Sequence, residues 1–168
     1  MSVRTFTVYV LTDGENTIPA RDFDYGGEGL GFHDVDGNQS DNNYRGENGD
    51  PEGNNADLEG NIGWTSPGEW QVYTIEVQDA GYYEVDVYLS AAGDGGTFSV
   101  SVDGNKSENT TVPNNGSWND WRWTFERYPE FKSTQPKFYL SAGKHKVRFN
   151  VEASGYNFMA LKFTYVGE

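Results

Sequence analysis

A chain of 168 residues in which 35% are hydrophobic, 15% aromatic and 21 are glycine keeps its apolar content in large rings and its backbone in turns. That mix argues against a helical bundle or a disordered chain and suits one turn-rich, all-β domain over residues 1–168. The net charge of −14 repels phosphate, so neither nucleic acid nor an anionic membrane suits as a partner, and the absence of cysteine removes disulfides and thiolate metal sites.

Thr5 to Val10 alternates in polarity and reads as an opening strand, ended by Asp13-Gly14-Glu15-Asn16. Ile18 to Asp24 follows, with Pro19 suited to a strand start or an edge. From Gly26 to Gly63 runs a long polar connection. Between Asp34 and Glu59 it holds eight acids and one base, Arg45, which is placed to pin it by a charge-assisted hydrogen bond. Asp34-Val-Asp36-Gly-Asn38, with Asp41 beyond, alternates oxygen donors like a calcium loop, but Arg45 occupies the place of the bidentate Glu.

The centre of the chain is two half-buried strands joined by Asp79-Ala80-Gly81 as an antiparallel hairpin. Tyr73, Ile75 and Val77 lie on one face of the first, and Tyr83, Val85, Val87 and Leu89 on one face of the second. Tyr82 and Tyr88 point the other way. Phe98, Val100 and Val102 alternate next and end at Asp103-Gly104, a strong turn signal. After the Asn114-Asn115-Gly116-Ser117 loop, Trp121, Trp123 and Phe125 share a parity and are expected in the core. Lys137 to Leu140, then Val147, Phe149 and Val151, then Met159, Leu161 and Phe163 as the inner face of a closing strand complete about nine short strands. Turn signals every ten residues or so make this the pattern of a β-sandwich or jelly roll.

No nucleophile elbow or reactive thiol supports covalent catalysis, and His145, between Lys144 and Lys146, is expected to be exposed. Loop carboxylates could face each other as in a small glycosidase, an alternative that needs two acids flanking one cleft. The sharper signal is Trp64 and Trp118, each in a Gly/Ser/Asn/Pro loop away from the inward strand positions. Two rings with an Asn nearby form a slot for a pyranose, whose C–H face stacks on aromatics while its hydroxyls need fixed donors. Burial of either ring would instead indicate a structural or protein-interaction sandwich, since tryptophan is highly buried on average.

Several motifs, in order, resemble the family 6 carbohydrate-binding modules: Ile18-Pro-Ala-Arg-Asp-Phe-Asp24, Gly27-Glu-Gly-Leu-Gly-Phe-His-Asp34, Asn43-Tyr-Arg45, Ile62-Gly-Trp-Thr-Ser-Pro-Gly-Glu-Trp70, Val112-Pro-Asn-Asn-Gly-Ser-Trp118, Leu140-Ser-Ala-Gly-Lys-His145 and Gly155-Tyr-Asn157. The resemblance implies a noncatalytic jelly-roll β-sandwich appended to a secreted or cell-surface glycoside hydrolase. Its sugar site would lie in the loops at one end, with Trp64 and Trp118 stacking on the sugar, Asn157 orienting it, and Glu28 and Asp34 as further polar contacts. Two family acids that help hold a structural calcium are replaced by Arg21 and Met159, so no cofactor is expected. A second family site on the concave sheet face would draw on Tyr82 and Tyr88. The expected partners are a neutral polysaccharide, such as a β-glucan or xylan, and a covalently linked catalytic domain. The opening Met-Ser-Val-Arg-Thr-Phe-Thr-Val carries no apolar leader core and is read as the start of a piece of that larger protein.

Overall fold

The computed structural model describes residues 8–35, 61–63, 65–93 and 96–168. Expectations for Trp64, Arg45 and the Asp36–Asp41 oxygen donors fall outside the described residues. The strands are β1 (Tyr9–Leu11), β2 (Glu15–Pro19), β3 (Phe32–His33), β4 (Trp70–Val77), β5 (Gly81–Ala91), β6 (Gly96–Val102), β7 (Asn105–Lys106), β8 (Thr110–Val112), β9 (Arg122–Trp123), β10 (Lys137–Leu140), β11 (Gly143–Ala153) and β12 (Tyr156–Gly167). One helical turn, α1 (Thr124–Arg127), and two 3-10 segments, Ala20–Asp22 and Pro129–Thr134, complete the described elements. The Ile18–Asp24 stretch thus splits at Pro19, where the missing N–H ends strand pairing and a 3-10 turn begins.

The strands form two sheets. A seven-stranded sheet runs β1-β4-β11-β6-β7, with β3 also paired to β4 and β8 to β6; a five-stranded sheet runs β10-β5-β12-β2, with β9 also paired to β5. The expected β4–β5 hairpin is therefore corrected. Its two strands lie in different sheets, β4 against β11 and β5 against β12. Gly81 permits the crossing, because a Cβ there would lie 2.5 Å from the Tyr165 ring and 2.7 Å from the Gly167 carbonyl. Alternation had specified each strand's buried face but not its partner.

The inward faces share one core. Tyr73, Ile75, Val100, Val147 and Phe149 of the larger sheet meet Val85, Val87, Phe158, Leu161 and Phe163 of the smaller one. Phe149 and Phe158 stack across the sheets with centroids 4.0 Å apart, and Phe98 stacks on Phe149 at 5.7 Å. Each such pair adds about 0.5–1.5 kcal/mol beyond the area it buries.

Two core expectations are corrected. Of Trp121, Trp123 and Phe125, Phe125 alone joins the core, edge-on to Phe98. The strand β9 ends at Trp123, and α1 then turns Phe125 inward under the edge of β5. There the buried Asp86 carboxylate accepts from Phe125 N (3.0 Å) and Val87 N (2.8 Å), and Thr124 Oγ1 donates to the Val87 carbonyl at 2.8 Å. Burial raises the Asp86 carboxyl above its ordinary range, opposed by those two N–H groups and the charge of Lys162. In β12 the register shifts between Phe158 and Ala160, so Met159 sits in a bulge and Phe158 takes the inward place expected for Met159.

His145 is likewise not exposed; its side chain retains 10% of its accessible surface. It bridges two turns, with Nδ1 2.5 Å from Asp103 Oδ2 and Nε2 2.7 Å from the Ser141 carbonyl, while Lys146 N donates to Asp103 Oδ1 at 2.9 Å. Asp103 has φ +50° and Gly104 φ +84°, the two positive values that a type I′ hairpin requires. Acceptors at both ring nitrogens favour the imidazolium. Burial lowers the His145 pKa, but its bonds to Asp103 and Ser141 and the Asp103 charge prevail and raise it. Asp103 is shifted down by its bonds to His145 and Lys146 N, against burial, which raises it.

The sign follows from these directions. The His145 contribution to stability is complete below its unfolded pKa of about 6.5 and disappears as pH rises through the raised folded value. The Asp103 contribution is lost only when pH falls through its lowered folded value. Urea midpoints of wild type and His145→Gln should therefore differ at about pH 6 and converge towards about pH 9. An equal separation at both pH values would show that His145 is not charged in the fold.

Candidate functional site

One end of the sandwich gathers the start of β4, the end of β5, the end of β11 and the start of β12. Because Phe158 and Leu89 are an inward pair, the adjoining pair Asn157–Ser90 faces outward. Ile62 pairs with Phe158 through two backbone bonds, 2.8 Å from Ile62 N and 2.9 Å from Phe158 N. This brings Gly63 over Asn157, so close that a Cβ at position 63 would lie 2.7 Å from Asn157 Oδ1. A side chain at position 63 would have to push the Asn157 amide aside. Gly63 and Thr65, which flank the expected stacking residue Trp64, are both buried.

Trp118 is exposed, at 46% of its accessible surface. Its loop is nonetheless tethered. Ser90 Oγ donates to the Trp118 carbonyl at 2.8 Å. Asn115 pairs with Ala91, the last residue of β5, its N donating to the Ala91 carbonyl (2.7 Å) and its Oδ1 accepting from Ala91 N (3.2 Å). Asn115 Nδ2 reaches the Asp120 carbonyl at 3.1 Å, Gly116 N the Asn114 side chain at 2.6 Å, and Asn119 N the Ser117 hydroxyl at 3.0 Å. The loop thus holds an exposed indole on a fixed frame. Ser90 and Asn115 were missed from sequence. Ser90 carried a signal, since it continues the outward parity of Asp86 and Tyr88 into the loop end.

Asn157, Trp118 and Gly63 therefore converge. Glu28 and Asp34 belong to the neighbouring sheet, beside β3 and the Trp70 end of β4. Both Glu28 oxygens are engaged locally, one by His33 Nδ1 and the other by Asp34 N at 2.9 Å. Of the cations behind the Trp118 loop, Arg122 and Arg127 both bind Asp120 (2.8 and 3.1 Å), and Lys162 binds Glu126 at 3.3 Å. Tyr82 and Tyr88 lie on the outer face of the five-stranded sheet, at opposite ends of β5.

A separate groove of about 590 Å³ lies on the outer face of the seven-stranded sheet, lined by Val72, Lys106, Arg148, Asn150 and Glu152 among others. Asn150 Nδ2 donates to Ser99 and Ser101 (3.1 and 3.0 Å), Glu152 accepts from Ser99 and Lys106 (both 2.9 Å), and the Arg148 guanidinium lies 4.6 Å from the Trp70 ring centre. The bond from Lys106 leads the causes that hold the Glu152 carboxyl below its ordinary range.

Residues 42–165 match the model of the carbohydrate binding module (family 6). The chain belongs to this family. Among solved structures, the module resembles the C-terminal family 6 module of LamC, a marine laminarinase from Zobellia galactanivorans, with 22% identity, TM-score 0.60, and coverage of 89% of this chain and 98% of that one. It also resembles the family 6 module of Cellvibrio mixtus lichenase 5A in complex with cellotriose (21% identity, TM-score 0.51, coverage 66% and 82%). A family 35 module of Cellvibrio japonicus Abf62 shares the fold as well (18% identity, TM-score 0.56, coverage 92% and 94%). No curated protein matches the module. Among the described residues, no helix is long and apolar enough to cross a membrane.

The close approach of Gly63 yields a test that needs no ligand. In Gly63→Ala the new methyl should displace the flexible Asn157 amide while the backbone pairing of Ile62 survives. The Asn157 side-chain NMR signals should move strongly, with the urea midpoint little changed. Unchanged Asn157 signals would show that the contact does not constrain that side chain.

Proposed function

We propose that the module binds a neutral polysaccharide at this loop end, with Trp118 and Trp64 stacking on the sugar and Asn157 fixing its hydroxyls. The observation that carries this reading is the exposed Trp118 ring, tethered through its own carbonyl to Ser90, the cross-strand partner of Asn157. An indole left half in water costs hydrophobic stabilisation unless something covers it, and a rigid mount makes stacking inexpensive in entropy. The carboxylate partners of Arg122, Arg127 and Lys162, with the net charge of −14, favour an uncharged glycan over a polyanion. The laminarinase and cellotriose named for the solved relatives point to β-glucans first, with xylan next. In this reading the module is noncatalytic and holds a covalently linked glycoside hydrolase on its substrate outside the cell.

We further propose that the fold needs no structural calcium. The 3-10 segment carrying Arg21 packs against β12, whose bulge carries Met159. A guanidinium and a thioether do not fit a hard cation that takes oxygen ligands.

Affinity electrophoresis against laminarin, mixed-linkage β-glucan, xylan, mannan and agarose tests the first proposal. Wild type should be retarded by at least one glycan. Trp118→Ala should lose about 30-fold in affinity, as expected for a central aromatic anchor, at an unchanged melting temperature. Retention by none, or unfolding of the variant, would favour a structural sandwich instead. For the second proposal, EDTA should leave the melting temperature in place; a fall of more than about 5 °C would reveal a bound stabilising ion.

A further inference from the structure

Trp121 and Trp123 lie on the outer face of the five-stranded sheet, and sugar stacking at Trp118 does not account for them. Trp123 is opposite Tyr88 in the β5–β9 pairing, with ring centroids 4.8 Å apart and planes inclined by 45°. Trp121 lies nearly parallel to Tyr88, at 5.9 Å and 22°. The three rings are half-buried and in contact on one sheet face, a larger aromatic group than the core on the other side of β5 needs.

Two of the three have structural work. The Lys162 ammonium sits 4.4 Å from the centre of the Trp123 ring, and Lys162 itself is held by Glu126. Tyr88 lies between the two indoles. Trp121 differs, because its ring packs on Tyr88 at one face, and no ring or cation is placed against its other face among the described residues.

The position of this cluster names its occupant. Tyr88 is two residues before Ser90 on the same outward parity, so the Tyr88 row lies about 7 Å from the Asn157–Ser90 row. That is the scale of a single pyranose residue. Within the Tyr88 row itself, the bulge at Met159 places the short side chain of Ala160 opposite Tyr88. Trp118 and Trp121 also share one tethered loop, fixed through Asn115 to the Asp120 carbonyl between them. The next row carries the polar pair Lys162 and Asp86, which bounds the aromatic cluster on that side.

We propose that Trp121, backed by Tyr88, is a second stacking position for the same glycan chain, carrying it from Trp118 and Asn157 onto the face of the five-stranded sheet. This rests on the loop-end reading above and adds a chain-length preference to it. One chain occupies both positions, so the stoichiometry is one chain per module.

Calorimetric titration with laminari- and cello-oligosaccharides of two to six units tests it, on wild type, Trp118→Ala, Trp121→Ala and Trp121→Leu. The leucine keeps apolar cover over Tyr88 but removes the flat ring, which separates stacking from packing. Wild-type affinity should rise with length in one series at a stoichiometry of one. Both Trp121 variants should bind the disaccharide like wild type and lose about tenfold on the hexasaccharide. Trp118→Ala should lose binding at every length. If the folded Trp121→Leu matches wild type on the hexasaccharide, or wild-type affinity does not rise with length, the extension is wrong while the loop-end site stands. If wild type binds none of these oligosaccharides, both the loop-end assignment to β-glucans and its extension fail.

Discussion

The stack of Phe149 on Phe158 is the contact on which the candidate site depends. It joins the two sheets at the end where the loops gather, and it fixes the inward face of β12 at that point. With Phe158 held inward, the pleat turns Asn157 outward opposite Ser90. Phe158 also receives the backbone of Ile62, which draws Gly63 onto the Asn157 amide. Orientation of the polar side chain and approach of the neighbouring segment thus follow from one buried ring. A binding group on a paired strand, backed by a close-packed core, has few alternative positions.

Charge is handled by local pairing despite the large net negative value. Asp24 is buried yet accepts from Thr74 N, Thr74 Oγ1 and Lys146 Nζ at 2.9, 2.7 and 2.8 Å. Asp86 draws on backbone donors instead, and with Thr124 it seats α1 against the edge of β5. Asp103 and His145 fasten the β6–β7 turn to the start of β11. Carboxylates that could be mistaken for catalytic acids are in these cases consumed by holding turns and edges. The same holds for Glu28, whose oxygens close the loop around β3. In the Trp118 loop the Asp120 carboxylate is likewise taken up by Arg122 and Arg127, while Asn115, Ser117 and Ser90 supply neutral hydrogen-bonding groups around the exposed indole.

The strand content, the turn at Asp103-Gly104, and the inward sets on β4, β5, β6 and β11 were all legible in the sequence, because alternation is a local consequence of the pleat. So was the loop position of Trp118, set among Asn, Gly and Ser; Asn157 was indicated by the family resemblance alone, and its pairing with Ser90 came from the structure. The alternation rule failed where one residue changed the count. The bulge at Met159 shifted the parity of β12, and the end of β9 at Trp123 separated Trp123 from Phe125.

The sequence by itself determined that this is an all-β protein, which faces of its central strands are apolar, and, of the two tryptophans it set in polar loops, the loop position of Trp118. Only the tertiary structure decided that β4 and β5 part into different sheets, that Trp121 and Trp123 lie half-buried on the outer sheet face instead of in the core, and that His145 is enclosed between two turns. The reason is physical. Side-chain alternation is written into the geometry of a single strand, whereas the partner of a strand, and whether an aromatic face is covered, depend on hydrogen bonds and layers contributed by residues far away in the chain.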